Sequence, residues 1–506
     1  MHSPPSTPEK YLYLNSSRRL IYGFGFVSML FLFCGNLIFI YYNPIFFAYL
    51  IFVLITFFYL VLSYLVGFAG DEFDFKLHQS RVSRWIDWAS TASVDIFLPV
   101  CGEPVDIIRN TWDHVKKLRA HHESAIGVYV LDDGKSDEIK LLATHYGFSY
   151  IRRETNELKK AGNLRTAFAQ TSGEFILILD ADFCPREDFL IETLPYMFED
   201  YRCAVVGTPQ YFTADGHKTW VGKGAAVVQE LFYRLIQVSR NSFNASVCTG
   251  TNTLYRRSAL SEFGGTAAMP YSEDMHTGFN LISTGWKINY IPINLCMGIC
   301  PDDLKSFFVQ QMRWSMGSIY LFFSQRFWTA NITMWQRVCY LTGIGYYIST
   351  ALSVVFAPLP GLYMMMFYPE KIIWYNLLFT IPSLIFGYVF IPIWLKAPFG
   401  LYLPRSRQVS YFSHMFALKD FLMNTLEEWI PTGDAASKSK RYDSFRASFV
   451  CFCVVPQMLM MVLLATRLVQ GYNPLNFIFV LMFILLNVAI TFPIIKETLG
   501  DGPVAK

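Results

Sequence analysis

The stretch that decides the fold is Phe175-Ile176-Leu177-Ile178-Leu179-Asp180-Ala181-Asp182. An unbroken apolar run closed by an acidic turn suits a strand buried on both faces and ending at a polar rim. Two further short, largely apolar runs that end at turns lie upstream, the first ended by Gly102 and Pro104 and the second by an acidic pair. Val94-Asp95-Ile96-Phe97-Leu98-Pro99-Val100 runs into Cys101-Gly102-Glu103-Pro104, and Val128-Tyr129-Val130-Leu131 runs into Asp132-Asp133-Gly134. A helical stretch through Leu118 separates those two runs. Strands without alternation, separated by helices, predict a parallel α/β sheet. In such sheets ligands bind beyond the carboxyl ends of the strands, where the acidic turns lie.

Outward from this sheet the sequence changes character. Residues 21–41 carry no charge, and at 1.5 Å per residue they reach about 31 Å, enough for a bilayer core. Residues 45–67 are a second such run, joined to the first by Tyr42-Asn43-Pro44, so the two predict a transmembrane hairpin. Uncharged runs return near 338–358, 372–395, 447–466 and 474–495, which makes six spans. Asn36, Pro382 and Pro456 fall inside them, where neighbouring helices must satisfy the freed backbone. The composition agrees: 53% of the 506 residues are hydrophobic and only 16% charged, against about 25% charged in soluble domains. That length also exceeds what one compact core serves. A net charge of +3 without a basic block argues against nucleic acid as a partner. The ten cysteines are scattered, and the near pairs Cys296/Cys300 and Cys451/Cys453 lack zinc-ligand spacing.

Basic residues beside the spans set the orientation. Lys10, Arg18 and Arg19 precede the first span, the pattern of a retained anchor rather than a cleaved signal. Lys396, Arg405 and Arg407 follow the fourth; Lys438, Lys440, Arg441 and Arg446 precede the fifth; Lys496 follows the last. The opposite turns hold little beyond Glu370, Lys371 and Arg467. A multi-pass protein of the plasma membrane is expected, with both termini and the middle segment in the cytosol. The expected divisions are a cytosolic segment at 1–20, a hairpin at 21–69, a catalytic domain at 70–302 and interfacial helices at 303–336. A hairpin at 337–396, an interfacial helix with a loop at 397–446, a hairpin at 447–495 and a tail at 496–506 complete them.

Asp180 and Asp182, two apart just after a strand, can turn their carboxylates the same way. A hard divalent cation takes one or two carboxylates and completes its shell with phosphate oxygens and water. There it would neutralise charge building on a diphosphate leaving group. An Asp-x-Asp is also an ordinary solvated turn, and Asp132-Asp133-Gly134 shares that ambiguity. Lys160, in Lys159-Lys160-Ala161-Gly162-Asn163, can reach a phosphate or simply stand on the surface. Glu273 and Asp274, in Tyr271-Ser272-Glu273-Asp274, can supply a general base or favour a helix start. In Gln310-Gln311-Met312-Arg313-Trp314, arginine suits bidentate phosphate binding and tryptophan suits stacking on a sugar. Both also anchor helices at a membrane interface.

These five motifs, in this order between two spans and an interfacial helix, resemble those of the family 2 processive glycosyltransferases, within them the cellulose-synthase-like enzymes. The resemblance covers about 94–325 by motif and the remainder by topology. It implies a cytosolic α/β domain of GT-A type inserted in a helical membrane region, a UDP-sugar donor, and Mg2+ or Mn2+. By the resemblance, the strand end with Pro99 and Glu103, and the pair Asp132 and Asp133, hold the uridine side of the donor. Lys160 touches the donor, and Asp180 and Asp182 hold the metal–diphosphate. Asp274 is the base, with Glu273 beside the acceptor. Gln310 and Arg313 cover the diphosphate, and Trp314 stacks the acceptor sugar. Thr249 and Gly250, in Cys248-Thr249-Gly250-Thr251-Asn252, line the acceptor path. Thr432 and Lys438 fall in the stretch corresponding to a gating loop. Ser272 stands where the family commonly has threonine, and no cyclic-dinucleotide module is expected after the last span.

The implied reaction is one in-line displacement that turns an α-linked donor into a β-linked product on a growing polysaccharide. The polymer is too polar to cross lipid unaided, so the membrane half is expected to export it through a channel. UDP-glucose and a β-glucan of capsule, exopolysaccharide or cell wall are favoured. A hyaluronan- or chitin-type synthase and a single-addition glycolipid transferase are the alternatives, and the Gln-x-x-Arg-Trp element argues against single addition. Intact Asp180, Asp182 and Asp274 argue against a transporter or scaffold with a degenerate domain.

Overall fold

The computed structural model describes residues 2–14, 17–89, 91–122, 125–212, 219–395, 400–425 and 440–500. Thr432 and Lys438 lie outside the described residues. The strands are β1 (Val94–Val100), β2 (Ile126–Asp132), β3 (Ser149–Ile151), β4 (Phe175–Ile178), β5 (Cys184–Pro185), β6 (Cys203–Gly207), β7 (Thr253–Arg256), β8 (Lys287–Tyr290) and β9 (Cys296–Met297). Seven form one sheet in the order β3-β2-β1-β4-β7-β6-β8, and β5 pairs with β9 apart from it.

Both faces of the sheet are covered, which is why its strands show no alternation. Ile96, Leu98 and Val100 pack with Ile108, Trp112 and Val115 of the Val105–His121 helix. Phe97, Ile176 and Ile178 face the other way, toward Phe279 and Ile282 of the Glu273–Ser283 helix. Each such side chain contributes about 1.5–3 kcal/mol on burial. Asp95 interrupts the β1 run, yet it is buried and satisfied. Its Oδ2 accepts the Gly173 N–H at 2.7 Å and pairs with Arg257 Nη2 at 2.7 Å. A Cβ at Gly173 would lie 2.6 Å from that carboxyl carbon, so glycine is required there.

The sheet is mixed rather than wholly parallel. β1 runs parallel to β2 and β4, whereas β7 is antiparallel to β4 and to β6. The reason is local. The chain enters β7 from a loop already at the carboxyl end of β4, where the Asn252 N–H donates to the Ile178 carbonyl at 2.9 Å. From that rim it can only run back along β4.

Six helical stretches are long and apolar enough to cross a membrane: Arg18–Tyr42, Tyr49–Ala69, Met334–Phe367, Trp374–Leu395, Lys440–Val469 and Pro474–Leu499. Tyr49, Asn36 and Ser28 within them find partners in the helices. Tyr49 Oη donates to Asn36 Oδ1 at 3.1 Å, and Ser28 Oγ donates to the Pro382 carbonyl at 3.1 Å. Small residues permit close helix approach: a Cβ on Gly67 would meet Tyr22 at 2.4 Å, and one on Gly345 would meet Tyr59 at 2.5 Å. The Tyr402–Met423 helix is buried among these and the Leu304–Phe323 helix. It therefore ties the membrane half to the helix that carries Gln310, Arg313 and Trp314.

Candidate active site

The carboxyl ends of β1, β2 and β4 open into a cavity of about 890 Å3. Pro99, Glu103, Asp133, Lys160, Asp180, Asp182, Gly250, Glu273, Asp274, Gln310, Arg313 and Trp314 all line it. Thus residues spread over two hundred positions of sequence share one space. Asp132 and Thr249 do not line it.

Asp132 and Asp133 part company at the end of β2. Asp132 is buried and accepts the N–H groups of Lys135 at 2.9 Å and Ser136 at 2.8 Å, and the Tyr150 hydroxyl at 2.7 Å. Its carboxylate is spent on holding the turn that starts the next helix. Asp133 is gripped at both oxygens by Arg153, at 2.6 and 2.7 Å, and the same guanidinium holds the Glu157 and Lys159 carbonyls. Asp133 thereby fixes the loop leading into Lys160. Thr249 is likewise turned inward, its carbonyl accepting from Thr253 Oγ1 at 2.9 Å.

At the end of β4 the Asp180 N–H donates to Thr251 Oγ1 at 2.9 Å, so the 249–252 loop lies against the acidic turn. Lys160 Nζ bridges the two, donating to Asp180 and, at 2.8 Å, to the Gly250 carbonyl. Burial alone would lower the Lys160 pKa, but the charges of Asp180 and Glu273 overrule it and hold the ammonium charged. Asp182 is pushed up to about 7, first by burial and then by the charges of Asp180 and Glu103.

Glu273 and Asp274 open the Glu273–Ser283 helix on the opposite wall. Glu273 is pushed up to about 7 by burial and by Asp274 beside it. Asp274 is also raised, chiefly by burial, although its Oδ1 accepts the Met275 N–H at 2.8 Å. Gly250 sits between the walls: a Cβ there would lie 3.1 Å from Asp274 Oδ2, 3.3 Å from Lys160 Nζ and 3.6 Å from Glu273 Oε1. Gln310, Arg313 and Trp314 fall three and four residues apart, so one face of the Leu304–Phe323 helix presents them together.

Sequence reasoning gave Asn163 no role of its own and missed Gln210, Phe212 and Ile299 through Asp303, all of which join the lining. The apolar run Cys203–Gly207, which is β6, was the signal for the Gln210 turn beyond it. Asn163 is buried, donates through Nδ2 to the Leu131 carbonyl at 2.9 Å, and leaves Oδ1 without a partner. An orphaned buried acceptor at a cavity wall is a place for a ligand N–H or O–H.

Asp180 and Asp182 offer hard oxygen donors, and their surplus negative charge, visible in the raised Asp182, suits a divalent cation. Among the described residues no group of three or more His, Cys, Asp and Glu side chains converges as a cage. The pair fits an ion whose remaining ligands are phosphate oxygens and water.

Residues 95–264 match the family model described as Glycosyl transferase family 2, and residues 265–397 match the one described as Cellulose synthase. Over 280 residues the chain is 32% identical to Cellulose synthase 1 of Komagataeibacter xylinus, covering 53% of this chain and 18% of that protein. Over 276 residues it is 31% identical to the cellulose synthase catalytic subunit (UDP-forming) of Pseudomonas fluorescens strain SBW25, covering 54% of this chain and 37% of that protein. The chain thus spans well under half the length of these curated relatives. Among solved structures it is similar to a mannosyltransferase of Pyrobaculum calidifontis in complex with GDP-Man and Mn2+, at a TM-score of 0.49 and 15% identity, over 74% of this chain and 100% of that one. The expected α/β domain of GT-A type, set between helices able to cross a membrane, is what the chain contains.

Proposed function

We propose that this chain, which belongs to the family 2 glycosyltransferases of cellulose-synthase type, polymerises a β-linked polysaccharide from a UDP-sugar. The observation that carries this reading is the gathering of five separate motifs around Gly250 and Lys160 in one cavity. UDP-glucose is the favoured donor and a β-glucan the favoured product, on the strength of relatives named as cellulose synthases.

Asp274 serves as the base. The acceptor hydroxyl oxygen forms a bond to the anomeric carbon of the donor while the bond from that carbon to the diphosphate oxygen breaks. UDP leaves with the electron pair, and the hydroxyl proton passes to Asp274. Attack opposite the leaving group converts an α donor into a β product. A burial-raised carboxyl is a stronger base than a surface aspartate, which suits this task. Lys160 and Arg313 supply fixed positive charge for the diphosphate, and Trp314 offers a ring face to the acceptor sugar. Asn163 Oδ1 accepts from the donor, and Glu103 lies at the nucleoside side. A Mg2+ or Mn2+ ion held by Asp180 and Asp182 would neutralise the departing diphosphate.

Export belongs to the same proposal. Tyr59, Tyr346, Tyr347 and His414 pack ring against ring between two spans and the Tyr402–Met423 helix, which places side chains of the type that stack on sugars inside the membrane half. The flanking basic residues support cytosolic termini and a cytosolic catalytic domain in the plasma membrane. The division of the chain at 70–302 for catalysis, with paired spans on either side, forms part of this reading.

The test supplies purified protein with a panel of radiolabelled UDP-sugars and digests the product with linkage-specific hydrolases. High-molecular-weight product from one donor is expected; product from none, or a single added sugar, refutes the proposal. Asp274→Asn is expected to abolish product while UDP binding persists. Normal polymer yield from that variant removes Asp274 as the base.

A further inference from the structure

Gly317 lies in the interior of the Leu304–Phe323 helix, a place where glycine weakens a helix. Its presence there calls for a reason, and the reason is a close approach. Four residues after Arg313, it faces the turn at Ser272 that precedes Glu273 and Asp274. A Cβ on Gly317 would lie 2.4 Å from Ser272 Cβ and 2.4 Å from Ser272 Oγ. The Oγ can rotate away about χ1, but the Cβ is bonded to the Ser272 Cα and cannot, so the backbone itself would have to move.

The Ser272 turn has little freedom to give way. Ser272 is left-handed, with φ +48° and ψ 44°, a conformation costly for serine that its surroundings must enforce. It stands at the cap position of the next helix but makes no side-chain cap bond. Its Oγ instead donates across to the Arg313 carbonyl at 3.3 Å. Its own carbonyl accepts the His276 N–H at 3.1 Å, and the His276 ring is held by Arg326 Nη2 at 2.9 Å. Ser272 is the residue that leads directly into Glu273 and Asp274, so any retreat of the turn from the Leu304–Phe323 helix carries them with it.

We propose that Gly317 is a positioning residue for Asp274: its missing side chain lets the strained Ser272 turn seat on the helix that bears Gln310, Arg313 and Trp314. The diphosphate-facing helix and the base then form one mechanical unit. This rests on the reading of Asp274 as the base.

The experiment compares parent, G317A, S272G and the double variant S272G/G317A in the full-length detergent-purified protein. A new methyl forces a shift of about 1 Å, for which a loss of roughly 10–100-fold in kcat is expected. Donor KM and UDP binding should hold near the parent values. The double variant lacks the atoms that clash, so its kcat should return to that of S272G. Hydrogen exchange across 271–277 provides a readout that needs no turnover: faster in G317A, restored in the double variant. If the parent makes no product from any UDP-sugar, the functional proposal fails, and exchange alone still decides the seating of the turn. Should G317A fail to fold, a folded double variant supports the same contact. Unchanged kcat and exchange in G317A, a change in donor KM alone, or no rescue in the double variant overturns the inference.

Discussion

Lys160→Met isolates the electrostatics of the site, because methionine keeps most of the side-chain length and removes the charge. Lys160 Nζ lies 3.3 Å from the point where a Gly250 Cβ would sit, and Asp274 Oδ2 lies 3.1 Å from it. Ammonium and carboxylate are therefore no farther apart than the two legs together, about 6.4 Å, and at an effective dielectric of ~20 they interact by roughly 2.6 kcal/mol. That corresponds to about two pH units for the carboxylate. The Lys160 side chain keeps 24% of its exposure, so solvent screens part of this and about one unit is the expected effect. The sign follows from what each form does. Asp274 must be ionised to take a proton; burial already raises it, and Glu273 beside it stands at about 7. The pair titrates together, so the parent rate should fall as pH drops through the raised range in which these carboxyls take up protons, above that of a surface aspartate. Removing a positive charge makes both carboxyls harder to ionise, so the acid limb moves to higher pH by about one unit. The assay is the initial rate of UDP release at saturating donor across pH, with Lys160→Arg keeping the charge as control. An acid limb that stays in place in Lys160→Met, or moves to lower pH, refutes the charge coupling.

Gly250→Ala would set a methyl against Asp274 Oδ2, Lys160 Nζ and Glu273 Oε1, at 3.1, 3.3 and 3.6 Å. A loss of roughly 10–100-fold in kcat is expected, with the thermal midpoint nearly unchanged, measured by UDP release and a melting curve. Lys10 is buried and meets Asp188 at 2.7 Å and also Glu192. Lys10→Ala removes one partner from each carboxylate, while Asp188 keeps Arg186 and Glu192 keeps His78; it should cost about 1–3 kcal/mol, seen as a drop in thermal midpoint larger than that of the exposed Lys76→Ala.

Much of the fold was legible because its signals are long or placed at edges. A transmembrane helix needs about 20 apolar residues, and no globular surface helix imitates that. The ends of β2 and β4 were legible because an apolar run that stops abruptly at an acid leaves few other readings, and the end of β1 because Gly102 and Pro104 break the strand. The direction of β7 was not. Thr253–Arg256 is four residues with no periodicity of its own, and its sense is dictated by where the preceding loop leaves β4, a tertiary fact. The N-terminal segment was equally opaque as a structural element. Its hold on the domain runs through Lys10 to Asp188 and Glu192, and through Asn294, whose N–H donates to the Lys10 carbonyl at 2.9 Å.

The candidate site divides along the same line. Two adjacent aspartates after β2 are chemically identical in sequence, and only their neighbours separate them. Asp132 is claimed within four residues by backbone N–H groups, a local event that an Asp-Gly turn already suggests. Asp133 is claimed by Arg153, twenty residues on, which no local pattern announces. Asp180 and Asp274 differ from both in one physical respect: neither carboxylate is fully taken up by the N–H groups of its own turn or gripped at both oxygens by a guanidinium. A carboxylate at a strand end becomes a candidate for chemistry when the fold leaves it charge to spend, and that depends on what the rest of the chain brings within reach. Gly317 marks the far end of this dependence. In sequence it is a blemish in a helix, and only the 2.4 Å approach of Ser272 turns it into a constraint on Asp274.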